Sequence, residues 1–92
     1  MRNRITNGDL YARVEMINKL TKSPEESYTT DENGKYTASP GNFHIDGAYG
    51  GVRLVRICPD GHGTYIISGP YTTKRGLYIW MGAYIQGLSF RK

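Results

Sequence analysis

The sequence predicts a small α+β fold: an α-β-β-β-α sandwich whose antiparallel sheet carries the N- and C-terminal helices on one face. Three observations lead there. Apolar residues recur at helical spacing near both ends of the chain, short β-prone runs fill the middle, and Gly/Pro/Asn/Asp clusters separate those runs. With 92 residues, the chain is read as a single domain, 1–92, with one small core.

The first helix is expected to begin at Thr6. Thr6 and Asp9 have capping-box spacing, and Ile5 and Leu10 have the spacing of a hydrophobic staple. Leu10, Val14, Ile17 and Leu20 make its apolar stripe, and Ser23-Pro24 ends it. An additional hairpin is expected at 28–37, because Asn33-Gly34 lies between β-prone residues; an irregular loop is the alternative. Strands follow at 42–46, 52–58 and 64–68, joined by the glycine-rich turn 47–51 and the loop 59–63. The last helix should start at Thr72 or Thr73, with Leu77, Met81, Tyr84, Ile85 and Leu88 as its stripe and Gly87 as its stop. Gly76 and Gly82 each weaken it by about 1 kcal/mol relative to alanine, so packing must hold it.

Composition excludes several classes. No apolar run approaches the ~18 residues of a membrane span, and the first residues lack the apolar core of a signal peptide, so no membrane association is expected. The single cysteine, Cys58, permits no internal disulfide and fits a reducing cytoplasm. A net charge of +4 favours anionic partners without proving nucleic-acid binding. Eight tyrosines supply rings for both core and ligand contact.

Chemistry concentrates in residues 42–52, Asn-Phe-His-Ile-Asp-Gly-Ala-Tyr-Gly-Gly-Val. His44 and Asp46 are two apart on a strand and leave the same face. Gly50 and Gly51 let a ligand approach backbone N–H groups, and Tyr49 adds a ring for stacking. The set suits a planar, anionic, nucleotide-like ligand. The plain alternative is a tight hairpin with His44 and Asp46 merely solvated.

The second candidate stretch is 69–75, Gly-Pro-Tyr-Thr-Thr-Lys-Arg. Tyr71, Thr73, Lys74 and Arg75 surround a helix start. Cations there oppose the helix dipole, so a phosphate is the expected companion; a simple cap with two solvated cations is the alternative. Arg53 and Arg56 are three apart on one strand and must point to opposite faces, but parity does not say which serves a ligand. A metal site from His44, Asp46 and His62 matches no known spacing, and Cys58 with a histidine lacks an activated-nucleophile pattern. No catalytic residue, metal or cofactor is therefore assigned, and the protein is not expected to be an enzyme.

Residues 18–21 (Asn-Lys-Leu-Thr), 41–55 (Gly-Asn-Phe-His-Ile-Asp-Gly-Ala-Tyr-Gly-Gly-Val-Arg-Leu-Val), 73–75 (Thr-Lys-Arg) and 83–88 (Ala-Tyr-Ile-Gln-Gly-Leu) resemble a family of short tailed-bacteriophage proteins. Those proteins share an Asn-Tyr/Phe-His-x-Asp-x-Ala-Tyr-Gly-Gly-Val core and a Lys-Arg start to the last helix. The resemblance implies a phage protein acting in the host bacterial cytoplasm. Here Gly76 and Ile79 stand where that family carries charge, which hints at self-association into a homo-oligomer. The helix–three strands–helix order with Lys74-Arg75 is also similar to the double-stranded-RNA-binding domain. A first helix with no evident RNA-reading face and a differently placed glycine turn depart from that domain.

The leading expectation is a non-catalytic binder that sequesters a nucleotide-derived ligand. By analogy with small phage sponge proteins, that ligand would be a bacterial immune second messenger. The alternatives are a nucleic-acid-binding module and a protein inhibitor of a host enzyme that binds through Tyr78, Ile79 and Trp80. A virion component is a further alternative.

Overall fold

The computed structural model describes residues 4–90; Met1, Arg2 and Asn3, part of the stretch read for a signal peptide, lie outside them. The element order is α1 (Asn7–Leu20), β1 (Tyr28–Thr30), β2 (Tyr36–Ala38), β3 (Phe43–Ala48), β4 (Gly51–Ile57), β5 (Thr64–Ile66) and α2 (Lys74–Ser89). Strands β3, β4 and β5 form an antiparallel meander in that spatial order, and β1 and β2 form a separate two-stranded sheet. The α-β-β-β-α architecture is thus present, with the hairpin inserted between α1 and β3.

Helix α1 starts as its sequence dictates. The Thr6 hydroxyl accepts from the Asp9 backbone N–H, and the Asp9 carboxylate accepts from the Thr6 N–H at 2.8 Å. Ile5 and Leu10 pack into one cluster. At the other end, Lys22 N–H donates to the Lys19 carbonyl and Ser23 N–H to the Asn18 carbonyl, a Schellman closure. The left-handed residue of that closure is Lys22, at φ 57°. Glycine adopts this conformation without the Cβ strain. Lys22→Gly is therefore expected to raise stability by about 0.5–1 kcal/mol in urea unfolding; a loss would show that the lysine side chain has a compensating role.

The core joins both helices to one sheet face: Leu10, Val14 and Ile17 of α1, Phe43 and Leu54 of the sheet, and Leu77 and Met81 of α2. Leu20, expected on the α1 stripe, is the last residue of the helix and is 39% exposed, since no further turn follows to cover it. Asn18 takes the deeper place, with its Nδ2 donating to the Phe43 carbonyl at 3.1 Å and its Oδ1 accepting from the Phe43 N–H at 2.9 Å. The helix thereby pairs with the strand edge much as another strand would.

Other boundaries also differ from expectation. Strand β3 runs on to Ala48 and β4 begins at Gly51, so the connection is two residues rather than five. Tyr49 and Gly50 both have positive φ, 53° and 72°, the combination of a type I′ turn that matches strand twist. Helix α2 begins after its cap Thr73 and continues through Gly87 to Ser89, with Phe90 as C-cap. Gly87 remains helical because the last turn is closed by Phe90 N–H to the Gln86 carbonyl. Gly82 is where the Arg13 guanidinium crosses α2, donating to the Tyr78 carbonyl at 2.7 Å. A side chain at Gly82 would displace that guanidinium, so this glycine exchanges helix propensity for an interhelical contact. No helix among the described residues is long and apolar enough to cross a membrane.

Candidate functional site

The β3–β4 register sets the site. Asp46 lies opposite Arg53, and His44 opposite Val55, so these residues share the sheet face turned away from the helices. Arg56 lies on the other face, with its guanidinium over Phe43 and its Nε donating to the Gly41 carbonyl at 2.9 Å. Of the two arginines, Arg53 is therefore the one beside His44 and Asp46.

Asp46 Oδ2 gathers three donors: Arg53 Nε and Nη2, each at 3.0 Å, and the Tyr71 hydroxyl at 2.7 Å. The Arg53 guanidinium also lies 4.2 Å from the Tyr71 ring centroid. Tyr71 is brought here by an isolated β-bridge: Val52 and Thr72 exchange backbone hydrogen bonds at 2.8 and 2.9 Å. Gly51 permits this approach, since a Cβ there would lie 3.0 Å from the Thr72 carbonyl oxygen and 3.1 Å from Tyr71 Cβ. Gly51 thus serves close packing, whereas Gly50 at the turn has open space around it. Tyr49 closes the row, its ring edge-on to Tyr71 at 5.6 Å.

His44 faces a different partner. Asn42 is buried; its Nδ2 donates to the Pro24 carbonyl, which directs its Oδ1 toward Ser27 Oγ and His44 Nδ1 at 3.2 Å. An amide oxygen only accepts, so the neutral imidazole carries its proton on Nδ1. Burial holds the His44 pKa below its ordinary value, with the Asp46 carboxylate opposing. The hydrogen bond from Tyr71 holds Asp46 below its ordinary value, against partial burial and with help from Arg53, and the same bond raises the Tyr71 hydroxyl.

Both His44 and Asp46 give up protons more readily folded than unfolded, so the folded state binds fewer protons and stability falls with acid. The His44 contribution is complete above about pH 6.5 and is lost as pH drops through its lower folded value. The Asp46 contribution is complete above about pH 4 and is lost below that. Urea midpoints between pH 7.5 and 5 should therefore decline in the parent and flatten in His44→Gln. An unchanged slope in that variant would remove His44 as the cause.

A second region lies beyond the turn. Gly50, the α2 cap Thr73 and Lys74 line an open groove of about 610 Å³ together with Arg4, Ile5, Thr6 and Asn7 at the start of α1. Two helix starts and two cationic side chains border one concavity there. Arg75 is exposed on the same first turn of α2. The structure thus forms two adjoining groups. One is the Asp46–Arg53–Tyr71–Tyr49 row, and the other is the groove of Gly50, Thr73 and Lys74. His44 is tied back to Asn42, outside both. Neither Arg4 nor the Asn42 amide has a role that the sequence pattern assigns. Arg4 stands two residues before a capping box, which was the available signal. Asn42 opens the expected strand 42–46, and nothing in the sequence tells what its amide would hold.

No group of His, Cys, Asp and Glu able to hold a metal ion occurs among the described residues. No family model matches the chain, and neither a curated protein nor a solved structure matches it.

Proposed function

We propose that the protein binds a nucleotide-like anion where the β3–β4 turn meets the starts of α1 and α2, and holds it unchanged. The observation that carries this reading is Tyr49. It occupies the first central position of a type I′ turn, at φ 53°, where asparagine or glycine is favoured. It is also 95% exposed. Folding gains little from a ring so placed, and the backbone bears strain to place it. A planar ligand stacked on that ring, its phosphate reaching the groove of Gly50, Lys74 and Arg4, accounts for both.

Binding without turnover fits the same geometry. Asp46 Oδ2 is engaged by three donors, and His44 is held by Asn42, so neither is poised to move a proton on a ligand. The sequence resemblance extends the proposal to a phage protein in the host cytoplasm. There, holding a nucleotide-derived immune messenger would silence a defence system by mass action. That extension is supported by the resemblance alone.

The test is native mass spectrometry with linear and cyclic nucleotides, joined to a stability measurement. Tyr49→Asn should raise stability by about 0.5–1 kcal/mol while weakening nucleotide retention about tenfold or more. A stabilised variant with unchanged retention would show that the ring does not stack, and no retention of any nucleotide by the parent would sink the reading. A second reading, nucleic-acid binding, is favoured by one observation: Lys74 and Arg75 open α2 in a helix–three strands–helix order. It predicts a steep loss of affinity with salt, which a single small anion does not.

A further inference from the structure

The β1–β2 hairpin is the least explained part of the molecule. Every residue from 28 to 37 is exposed. Three-residue strands in a two-stranded ribbon are marginally stable alone. Its pairing puts Tyr28, Thr30, Tyr36 and Ala38 on one face, and the two tyrosines are 59% and 75% exposed. The arm is also charged against its own body. Glu25, Glu26, Asp31 and Glu32, half of the chain's eight acidic residues, lie in residues 24–38 beside one lysine, Lys35. That segment carries −3 in a chain of +4, so the remainder carries +7.

We infer that this arm docks on the cationic groove of a second copy of the chain, and that the second arm returns the contact about a twofold axis. Charge complementarity selects the occupant. Two bodies of net +7 repel on average, an acidic arm meeting a basic surface offsets that repulsion, and the groove beside Arg4 and Lys74 is such a surface. Geometry selects the partner over the arm's own groove. The arm leaves beyond the C-terminal end of α1, whereas the groove lies at the N-terminal end of that helix, about 20 Å away along its 14 residues. At the tip, Asp31 Oδ1 is used to accept from the Asn33 and Lys35 N–H groups, which leaves Glu32 as the carboxylate that leads into the groove. Specific interfaces bury about 1,200 Å² or more, and a twofold axis doubles whatever area one arm contributes.

The inference shares its receiving surface with the nucleotide reading but does not rest on it. The experiment uses the full chain in sedimentation velocity at low and high salt, with circular dichroism as the check on folding. A dimer at low salt that dissociates as salt rises is expected. Glu32→Lys should weaken it more than about tenfold, and Lys74→Glu likewise. An equimolar mixture of the two variants should form a heterodimer, since residue 32 of each arm then meets a residue 74 of opposite charge in its partner's groove. A monomer at every concentration, a dimer unmoved by either reversal, or a mixture that stays monomeric overturns the inference. ATP and cyclic di-AMP binding to Glu32→Lys, whose groove is intact, is read in parallel. Dimerisation without nucleotide binding fails only the nucleotide reading, and nucleotide binding by a chain that never dimerises fails only the arm.

Discussion

Asn18→Ala is expected to lower stability by about 3 kcal/mol, roughly 15 °C in Tm for a domain of this size. Asn18 is 2% exposed, and both ends of its amide are committed to the Phe43 backbone. Alanine removes those partners and leaves a donor and an acceptor of β3 beneath α1, each worth about 1–3 kcal/mol when buried and unpaired. Asn18→Leu separates this effect from lost volume. It fills the space but leaves the same two groups bare, so it should recover no more than about 1 kcal/mol of the loss. A domain of this kind has about 5–15 kcal/mol in total, so either variant lies close to unfolding at 37 °C. Urea unfolding decides it. An Asn18→Ala midpoint indistinguishable from the parent would mean that water reaches Phe43 and that the clamp contributes little.

The second large effect concerns the groove. Arg4→Ala/Lys74→Ala should reduce affinity for a retained nucleotide by about two orders of magnitude, because each cation contributes a charge-assisted hydrogen bond of about 1.5 kcal/mol or more. Both side chains are exposed, so the change in folding stability should stay within about 0.5 kcal/mol. Titration calorimetry with the nucleotide selected by mass spectrometry measures the first quantity, and thermal unfolding the second. Undiminished affinity in the double variant would move the phosphate away from the helix starts. The Arg53–Tyr71 row would then be the surface to examine.

Much of this could be read in the chain itself. Thr6 and Asp9 announce the start of α1 because capping chemistry is local, and Phe43 and Ile45 announce a strand because alternation is local. The β3–β4 turn was harder. Three glycines suggested a five-residue loop, and nothing in a tyrosine signals a left-handed backbone, so the two-residue turn emerged only with the register. The roles of Arg53 and Arg56 were undetermined for the same reason: parity separates their faces, and only pairing with β3 says which face meets Asp46. Asn18 continues the Leu10–Val14 spacing by four, yet asparagine reads as a surface residue until its partner strand is known. The groove brings together residues 4 to 7, 50, 73 and 74, a juxtaposition no local pattern contains.

The hairpin enters and leaves the body through neighbouring points. The Ser39 N–H donates to the Ser27 carbonyl at 2.9 Å, and buried Asn42 ties Ser27 and Pro24 together beneath it. The body's own order, helix, three strands, helix, is complete without the segment between those points. Whatever lies beyond the Ser27–Ser39 pair is therefore interchangeable in a way the rest of the chain is not. Lengthening it costs the fold only about 0.6 kcal/mol per doubling of the loop, and altering its charge disturbs no core contact. A frame built this way can exchange about a dozen surface residues, while the groove and the clamp at Phe43 stay as they are.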